Sequence, residues 1–383
     1  MGKLTVALLY NLKQNAPHEG GVEEPWDVWN ELDSERTVTG IEGALRAGGY
    51  DVIPLEGDVN LLERLQKTHV DIAFNTCEGH RGGSREAQVP AILDMLGVPY
   101  TGSGVMTLAL ALDKPMSKRV LAFYGLPTPA FQTLIRGDES LDPRLKFPLF
   151  VKPSREGSGI GITAKSVCRN DSDLREQVRS IIRDYRQPAL VEEYVEGREL
   201  TIGLLGNILW STNGGQPGRL AANHVVSSLT AGGTSPGTNG NGHGRRNRLP
   251  TVAPATLRVF PPLEVDLSPC PEDQAGLYTS VIKGKMYEVP KYLCPAPTTK
   301  AMRAKLERLA VGAFAALECC DFARVDVRIR AETGEPTILE VNPLAGLQEG
   351  ISDIVMEAGA DGLDYPGLIN GILEAALARY GMT

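Results

Sequence analysis

The stretch Ala323-Arg324-Val325-Asp326-Val327, followed by Ile338-Leu339-Glu340-Val341-Asn342-Pro343, decides the fold of this chain. Each segment carries polar side chains at alternate positions of an apolar run, a pattern typical of a buried strand. Successive side chains of a strand point to opposite faces, so Asp326 shares a face with Arg324 and Arg328, and Glu340 shares one with Asn342. If the strands pair, three oxygen-bearing side chains and a guanidinium meet on one side of the sheet.

The acidic residues on these two strands have two explanations. Burying Asp326 and Glu340 among apolar neighbours is costly without a cation, and such oxygen ligands suit Mg²⁺ that bridges nucleotide phosphates. A structural salt bridge from Arg324 to Asp326 or Glu340 explains the same residues without a metal ion. The two strands alone leave both explanations open.

Length and charge restrict the class of protein. A chain of 383 residues predicts about two or three domains with a sizeable core. The hydrophobic fraction of 42% and the charged fraction of 22% are ordinary for a globular protein. A formal net charge of −8 argues against general nucleic-acid binding, which needs a basic surface to neutralise phosphates. Small molecules are therefore the expected partners.

The sequence also indicates a compartment. No segment reaches the roughly 20 apolar residues of a membrane span, and the apolar start at 4–10 is too short for a signal peptide. The six cysteines show no zinc or redox spacing, and the adjacent Cys319 and Cys320 cannot readily form a disulfide with each other. We therefore expect free thiols in a cytoplasmic protein that has no membrane contact.

Hydrophobic patterns divide the chain into three units. Strand-like runs at 4–9, 50–55 and 70–75 alternate with helical patterns, which predicts a parallel sheet flanked by helices. A second unit carries a strand at 148–153, a glycine-rich loop, a helix and another strand, and a third begins with a strand and closes with two helices. We expect an N-terminal α/β domain at 1–115, a central subdomain at 116–197 and a C-terminal subdomain at 198–383.

The third unit contains an insert at 211–256 that lacks a regular pattern. It is rich in glycine and arginine and contains neither Asp nor Glu. Such a composition buries too little apolar area to offset its ordering entropy, so the insert is predicted to be a mobile loop. The sequence leaves open whether this loop covers a substrate or is a passive insertion.

A lysine and a glycine-rich loop form the next candidate motif. Lys152 ends an apolar strand, and Glu156-Gly157-Ser158-Gly159-Ile160-Gly161 follows. Glycines let backbone N–H groups approach phosphate oxygens, and the lysine adds a positive charge. An ordinary hairpin explains the loop equally well, and it does not match the P-loop because no Gly-Lys-Ser/Thr follows.

The order of motifs along the chain resembles the ATP-grasp ligases, and more closely the D-alanine–D-alanine ligase branch. The motifs that carry the resemblance are Asp113-Lys114, Val151-Lys152-Pro153-Ser154, Glu192-Glu193-Tyr194-Val195, Arg324-Val325-Asp326 and Leu339-Glu340-Val341-Asn342. The runs at 96–105, 109–114 and 125–129 are specific to that branch. The resemblance spans nearly the whole chain except the insert. It implies an α/β chain, α+β in its C-terminal part, in which two ATP-grasp subdomains grip ATP.

The resemblance implies roles for the residues around ATP. Lys114 and Lys152 would contact its phosphates, the loop at Ser158 would cover them, and Lys283 would meet the γ-phosphate. The resemblance also implies that Glu192 and the Glu193 to Val195 backbone would line the adenine cleft, and that Glu199 would hold the ribose hydroxyls.

The resemblance also implies a metal site and a reaction. Asp326, Glu340 and Asn342 would ligate two Mg²⁺ ions, for which Mn²⁺ could substitute, and Arg324 with the Gly346 amide would stabilise an oxyanion. A carboxylate would attack the γ-phosphate to give an acyl phosphate and ADP, and an amine would then displace phosphate. The expected partners are thus a small carboxylate and a small amine, and the expected assembly is a homodimer.

The chain departs from the family where the first substrate binds. A longer, tryptophan-containing stretch at 11–33 replaces the family's glycine-rich entrance, and only 34–39 resembles the segment that follows it. Glu35 is predicted to bind an amino group, although a helix N-cap with an acidic first turn explains it equally well. His80 keeps the family's spacing to Pro99-Tyr100 and is a second candidate, with a surface histidine as the alternative.

A second departure from the family follows the strand at 338–342. The run at 344–351 keeps Gly346 but lacks the serines that bind the second substrate's carboxylate in D-alanine-joining members, and Glu349 would repel a carboxylate. Gly284 replaces the tyrosine expected after Lys283. We therefore expect a ligase whose second substrate is not D-alanine. A genuine D-alanine–D-alanine ligase and a non-catalytic ATP-binding regulatory protein are the alternatives.

Overall fold

The computed structural model of the protein describes residues 3–17, 24–208, 257–274 and 276–382, and the predicted insert at 211–256 lies outside these ranges. The strands are β1 Thr5–Tyr10, β2 Asp51–Glu56, β3 Ile72–Asn75, β4 Phe131–Leu134, β5 Leu149–Pro153, β6 Val167–Cys168, β7 Ala189–Glu193, β8 Gly197–Leu205, β9 Arg258–Val259, β10 Leu263–Asp266, β11 Lys291–Leu293, β12 Phe322–Arg330 and β13 Pro336–Asn342. The α-helices are α1 Glu35–Ala47, α2 Leu61–Lys67, α3 Gln88–Leu96, α4 Val105–Leu112, α5 Lys114–Phe123, α6 Asp171–Tyr185, α7 Ser280–Lys285, α8 Lys300–Ala316, α9 Asp353–Ala360 and α10 Tyr365–Tyr380.

The N-terminal sheet is parallel, as predicted. Its strand order is β2-β1-β3, with Val6 opposite Val52 on one side and Ile72 on the other. The central strand is buried from Val6 to Leu9, which explains its continuous apolar run. Helices α1 and α10 pack on this sheet through Ile41 and Ile369.

The rest of the chain forms two antiparallel sheets. The first has the order β4-β7-β5-β6 and packs against α6 through Leu174 and Val178. The second has the order β11-β10-β8-β12-β13, with β9 also paired to β8, and α8 lies on it. The polar faces of these two sheets and the carboxyl end of the N-terminal sheet surround the candidate site.

Each predicted unit contains one of the three sheets. Helix α5 crosses the predicted boundary at 115, and α10, from the third unit, shares the core of the first. The domain limits at 1–115, 116–197 and 198–383 therefore stay a prediction.

All six cysteines are free thiols, as predicted. Among the described residues, no helix is long and apolar enough to cross a lipid bilayer.

Candidate active site

A cleft of about 750 Å³ lies between the two antiparallel sheets, and we call it the lysine cleft because Lys114, Lys152 and Lys283 line it. Strand β5 supplies Lys152, α5 begins with Lys114, and α7 supplies Lys283. The other predicted site residues that line this cleft are Glu192, Glu193, Val195, Glu199, Asp326 and Glu340. The structure thus brings together residues that are more than 200 positions apart.

Two buried lysines share one carboxylate at the back of the lysine cleft. Lys152 Nζ lies 2.8 Å from Glu192 Oε1, and Lys118 Nζ lies 2.8 Å from Glu192 Oε2. Burial opposes ionisation of Glu192, but the two ammonium groups outweigh it and lower its pKa to about 2. The trio carries one net positive charge, which suits a polyanion in the cleft.

Glu199 is held in place by an arginine. Strand β12 brings Arg328 opposite Glu199 of β8, and the guanidinium donates to its carboxylate. Arg328 also donates to the Val195 carbonyl over 3.1 Å. Burial opposes the charge on Arg328, yet Glu199 raises its pKa, so the guanidinium stays ionised. Glu199 is therefore a fixed acceptor on the cleft wall.

The strands β12 and β13 pair as the sequence pattern predicts. Asp326 lies opposite Glu340, and Arg324 lies opposite Asn342. Asn342 Nδ2 donates to Asp326 Oδ2 over 3.0 Å. Burial would raise the pKa of Glu340, but Lys114 and the neighbouring cations lower it instead.

The same side chains fit a Mg²⁺ site. Asp326, Glu340 and Asn342 offer oxygen ligands on adjacent strands where the lysine cleft adjoins the acidic pocket, the donor type that Mg²⁺ prefers. In the described part of the chain, no cluster of three His, Cys, Asp or Glu side chains could hold a metal ion. If Mg²⁺ bound there, these two carboxylates and the amide would hold it and would bring positive charge to the cleft.

The salt bridge that the sequence left open is also present. Arg324 binds Asp326 through two hydrogen bonds of 2.7 and 2.9 Å. Its Nη1 lies 3.7 Å from Asp353 Oδ2. Arg324 is thus held between two carboxylates, one of which belongs to the candidate metal set.

A polar space of about 610 Å³ adjoins the end of β13, and we call it the acidic pocket because Glu31, Glu78 and Glu86 line it. Arg85 pairs with Glu31 and also with Glu156, at 3.0 Å. Among the described residues, no hydrogen bond or ion pair reaches Glu78 or Glu86, although Glu86 is only 8% exposed. Burial and then Glu31 raise the pKa of Glu86 to about 8.

A third space of about 1360 Å³, the tyrosine cavity, is walled by Tyr278, Tyr287 and Tyr292. The buried Asp353 at the start of α9 faces it, as does Asp33. Burial raises the pKa of Asp33 to about 7, against a hydrogen bond from Thr76. With Glu31, which also lines the acidic pocket, the cavity wall therefore carries three carboxylates.

The glycine-rich loop separates these spaces. Gly157 lines the lysine cleft and the acidic pocket, and Ser158 lines the acidic pocket and the tyrosine cavity. Gly161 has a φ of +73°, and Gly159 packs against the backbone at the start of α7. A side chain at Gly159 would collide with that backbone, which explains the glycine.

Three predicted positions are not brought to these spaces. Glu35 is exposed in the first turn of α1 and accepts a hydrogen bond from Gln14, while Ser34 caps the helix. His80 packs edge-on against Trp29, 6.0 Å between ring centroids, outside the acidic pocket. Glu349 is exposed and lines none of the three spaces, whereas the buried Asp353 lines the tyrosine cavity.

Comparison with known proteins is consistent with this geometry. Residues 120–216 and 272–374 match the family described as D-ala D-ala ligase C-terminus. The D-alanine–D-alanine ligase of Syntrophotalea carbinolica is 30% identical over 90% of this chain and 92% of its own length.

The chain belongs to the D-alanine–D-alanine ligase family.

Two further similarities extend over almost the whole chain. The uncharacterized protein y4sG of Sinorhizobium fredii is 32% identical over 93% of this chain and 90% of its own length. The ATP complex of the D-alanine–D-alanine ligase from Bacillus anthracis has a TM-score of 0.65 at 18% identity, covering 99% of this chain and 100% of that one. This likeness confirms the predicted ATP-grasp fold.

The sequence pattern missed several residues of the site. Lys118, Glu78, Glu86 and Asp353 carry no local motif, since each acquires its surroundings from distant segments. A buried helix face that contains a lysine was the one available signal for Lys118, which is 1% exposed. Asp353 has the ordinary appearance of an acidic residue in a first helical turn.

Proposed function

We propose that the protein is an ATP-dependent ligase that joins a carboxylate to an amine through an acyl phosphate, with release of ADP and phosphate. One observation carries this proposal: the three spaces adjoin one another, and each pair shares lining residues. Glu340 lines the lysine cleft and the acidic pocket, Lys283 lines the lysine cleft and the tyrosine cavity, and Arg324 lines the acidic pocket and the tyrosine cavity. A ligase of this type needs three adjoining sites, for ATP, acid and amine.

Similar proteins support ATP as the nucleotide. The Bacillus anthracis ligase with the same fold is described in complex with ATP. In the proposed complex, Lys114, Lys152 and Lys283 of the lysine cleft would contact the phosphates, and Glu199 would accept hydrogen bonds from the ribose hydroxyls. The Glu193 to Val195 edge would line the adenine.

The chain's own residues explain how two anions could approach each other. Lysines around the γ-phosphate reduce the Coulomb repulsion between it and the incoming carboxylate. Mg²⁺ held by Asp326, Glu340 and Asn342 would supply further charge neutralisation. Arg324 and the Gly346 amide border the acidic pocket, where they can stabilise negative charge that develops on the acyl oxygen.

The acidic pocket supports an acid that carries a positive charge. Glu78 and Glu86 form no direct ion pair with any described residue, and they lie beside the arginine that would meet the acyl group. An ammonium group on the acid would neutralise them. These two residues replace Glu35 as the proposed amino-group ligands.

The tyrosine cavity supports a second substrate other than D-alanine. Asp353 and Asp33 face it, and neither favours a substrate carboxylate nearby. Lys13 and Arg36 also line the cavity, so a carboxylate farther from the amine remains compatible with the site. The proposal therefore concerns the part of the second substrate that lies beside Asp353, and this part should be cationic or neutral.

The names of relatives favour one alternative, a genuine D-alanine–D-alanine ligase. A panel of amino acids and amines, tested in pairs with ATP and Mg²⁺ for release of ADP, separates the two functions. D-alanyl-D-alanine formed with higher kcat/KM than any other product would establish the alternative. Release of AMP and pyrophosphate would contradict the acyl-phosphate route. If no pair of substrates causes ATP turnover, a non-catalytic ATP-binding regulatory protein would be favoured.

The predicted homodimer and cytoplasmic location belong to the same proposal. The free thiols support a reducing compartment. Sedimentation of the purified protein tests the subunit number.

A further inference from the structure

Residues 24–33, which we call the tryptophan segment, lie between the glycine-rich loop and α7. Lys285 of α7 stacks on the ring of Trp26, with Nζ 3.8 Å from the ring centroid. Glu31 lies so close to Gly157 that a side chain at that glycine would collide with it. The segment therefore contacts both elements that border the three spaces.

One buried carboxylate in this segment ties three elements together. Asp27 is 3% exposed, and its Oδ2 accepts hydrogen bonds from the Gly161 N–H at 3.1 Å and the Ser280 hydroxyl at 2.8 Å. Its Oδ1 accepts one from the Tyr185 hydroxyl at 3.0 Å. These donors belong to the glycine-rich loop, to the start of α7 and to the end of α6.

The two elements that share Asp27 Oδ2 carry proposed ATP contacts. Ser158 lies in the loop, three residues before Gly161, and Lys283 lies in α7, three residues after Ser280. The loop and the helix also touch directly, because Gly159 packs against the backbone at Ser280. The Asp27 carboxylate therefore links the loop that carries Ser158 to the helix that carries Lys283.

We propose that Asp27 is a positioning residue that fixes the glycine-rich loop against α7. It thereby holds the proposed acid site, which Glu31 lines, and the proposed ATP site in a fixed relative position. The proposal rests on the ligase function above. It implies that Asp27 protects the acyl phosphate. With the loop displaced, water would attack the acyl carbon, the bond from that carbon to the phosphate oxygen would break, and acid and phosphate would be released without product.

Asp27→Asn tests this inference, with Asp138→Asn, an exposed and remote carboxylate, as the matched control. We expect Asp27→Asn to raise the KM for ATP about tenfold, because hydrogen bonds to a charged acceptor are lost, and to release more than one ADP per product. Hydrogen exchange at the Gly161 amide should accelerate about tenfold as well. The control should match the wild type in all three measurements.

A purely structural anchor predicts a different pattern. In that case Asp27→Asn lowers the melting temperature but leaves the KM for ATP and the ratio of ADP to product unchanged, and this result overturns the proposal. If Asp27→Asn does not fold, Ser280→Ala removes one donor and keeps the carboxylate. Ser280→Ala should then raise the KM for ATP and the ADP ratio, and wild-type values of both would overturn the proposal.

Failure of the ligase function is distinguishable from failure of this inference. If the wild type joins no acid to any amine, exchange at the Gly161 amide still reports the Asp27 contact in the presence of ATP. Faster exchange in Asp27→Asn or Ser280→Ala, together with weaker ATP binding in a direct nucleotide titration, supports the positioning role without reference to turnover. Equal exchange in wild type and variants contradicts it.

Discussion

Asp326 and Glu340 lie opposite each other on the antiparallel strands β12 and β13, at the end of the lysine cleft. Because the two residues are paired, both carboxylates point to the same face of the sheet, and no loop is needed to position them. Asn342 lies on the same face of β13 as Glu340, and Arg324 lies on the same face of β12 as Asp326. The proposed metal set therefore depends on one strand pair and its register.

Glu340→Gln should reduce kcat about a hundredfold while changing ATP affinity much less. The lost charge matters most where negative charge develops during transfer, and less in the bound ground state. Steady-state kinetics at varied Mg²⁺ and direct nucleotide titration measure the two effects. Glu335→Gln, exposed near the start of the same strand, is the matched control. Wild-type kcat in Glu340→Gln would show that the metal site lies elsewhere.

Lys118→Met should destabilise the fold by about 3 kcal/mol, because it leaves a buried carboxylate with one cation instead of two. The pKa of Glu192 is lowered to about 2, so the stability gained from ionising it is present above the ordinary range of a glutamate and is lost as the pH falls towards 2. Urea unfolding at pH 7 measures the loss. Lys165→Met, which removes an exposed pair with Glu176, should cost less than about 1 kcal/mol. Equal effects of the two substitutions would show that the buried trio is not a special source of stability.

Glu86→Gln should stabilise the substrate-free protein, and more so at high pH. The folded-state pKa of Glu86 is raised to about 8, above the value in an unfolded chain, so the ionised side chain destabilises the fold. The advantage of the glutamine should be absent near pH 4, grow as the pH rises to 8 and reach roughly 2–4 kcal/mol there.

Melting curves of wild type and Glu86→Gln from pH 5 to pH 9 measure this trend. Glu86→Gln should at the same time raise the KM for an amino-acid substrate. Glu63→Gln, whose side chain is exposed on α2, should show neither effect. A stability difference that does not vary with pH would mean that ionisation of Glu86 does not destabilise the fold.

Local sequence patterns account for the framework of the site and not for its electrostatics. The alternation at 323–327 and 338–342 is sufficient to place Asp326 beside Glu340, because the side-chain period of a strand is two. Nothing local reveals that Lys118 shares Glu192 with Lys152, since a helix and two strands must first pack together. The local pattern did not indicate the exposure of Glu35 either: Ser34 caps α1, and Glu35 lies on the solvent side of its first turn.

Asp353→Asn should change which amines are accepted. Removing this buried carboxylate from the wall of the tyrosine cavity should lower kcat/KM about tenfold for an amine with a cationic group near Asp353, because a charge-assisted contact is lost. The same substitution should improve amines with a carboxylate there, D-alanine included. Glu349→Gln is the matched control: the sequence pattern assigned this repulsion to Glu349, whereas the structure leaves it exposed and outside the cavity. Competition between a diamine and D-alanine measures both variants. A switch in preference caused by Glu349→Gln and not by Asp353→Asn would place the amine site beyond the tyrosine cavity.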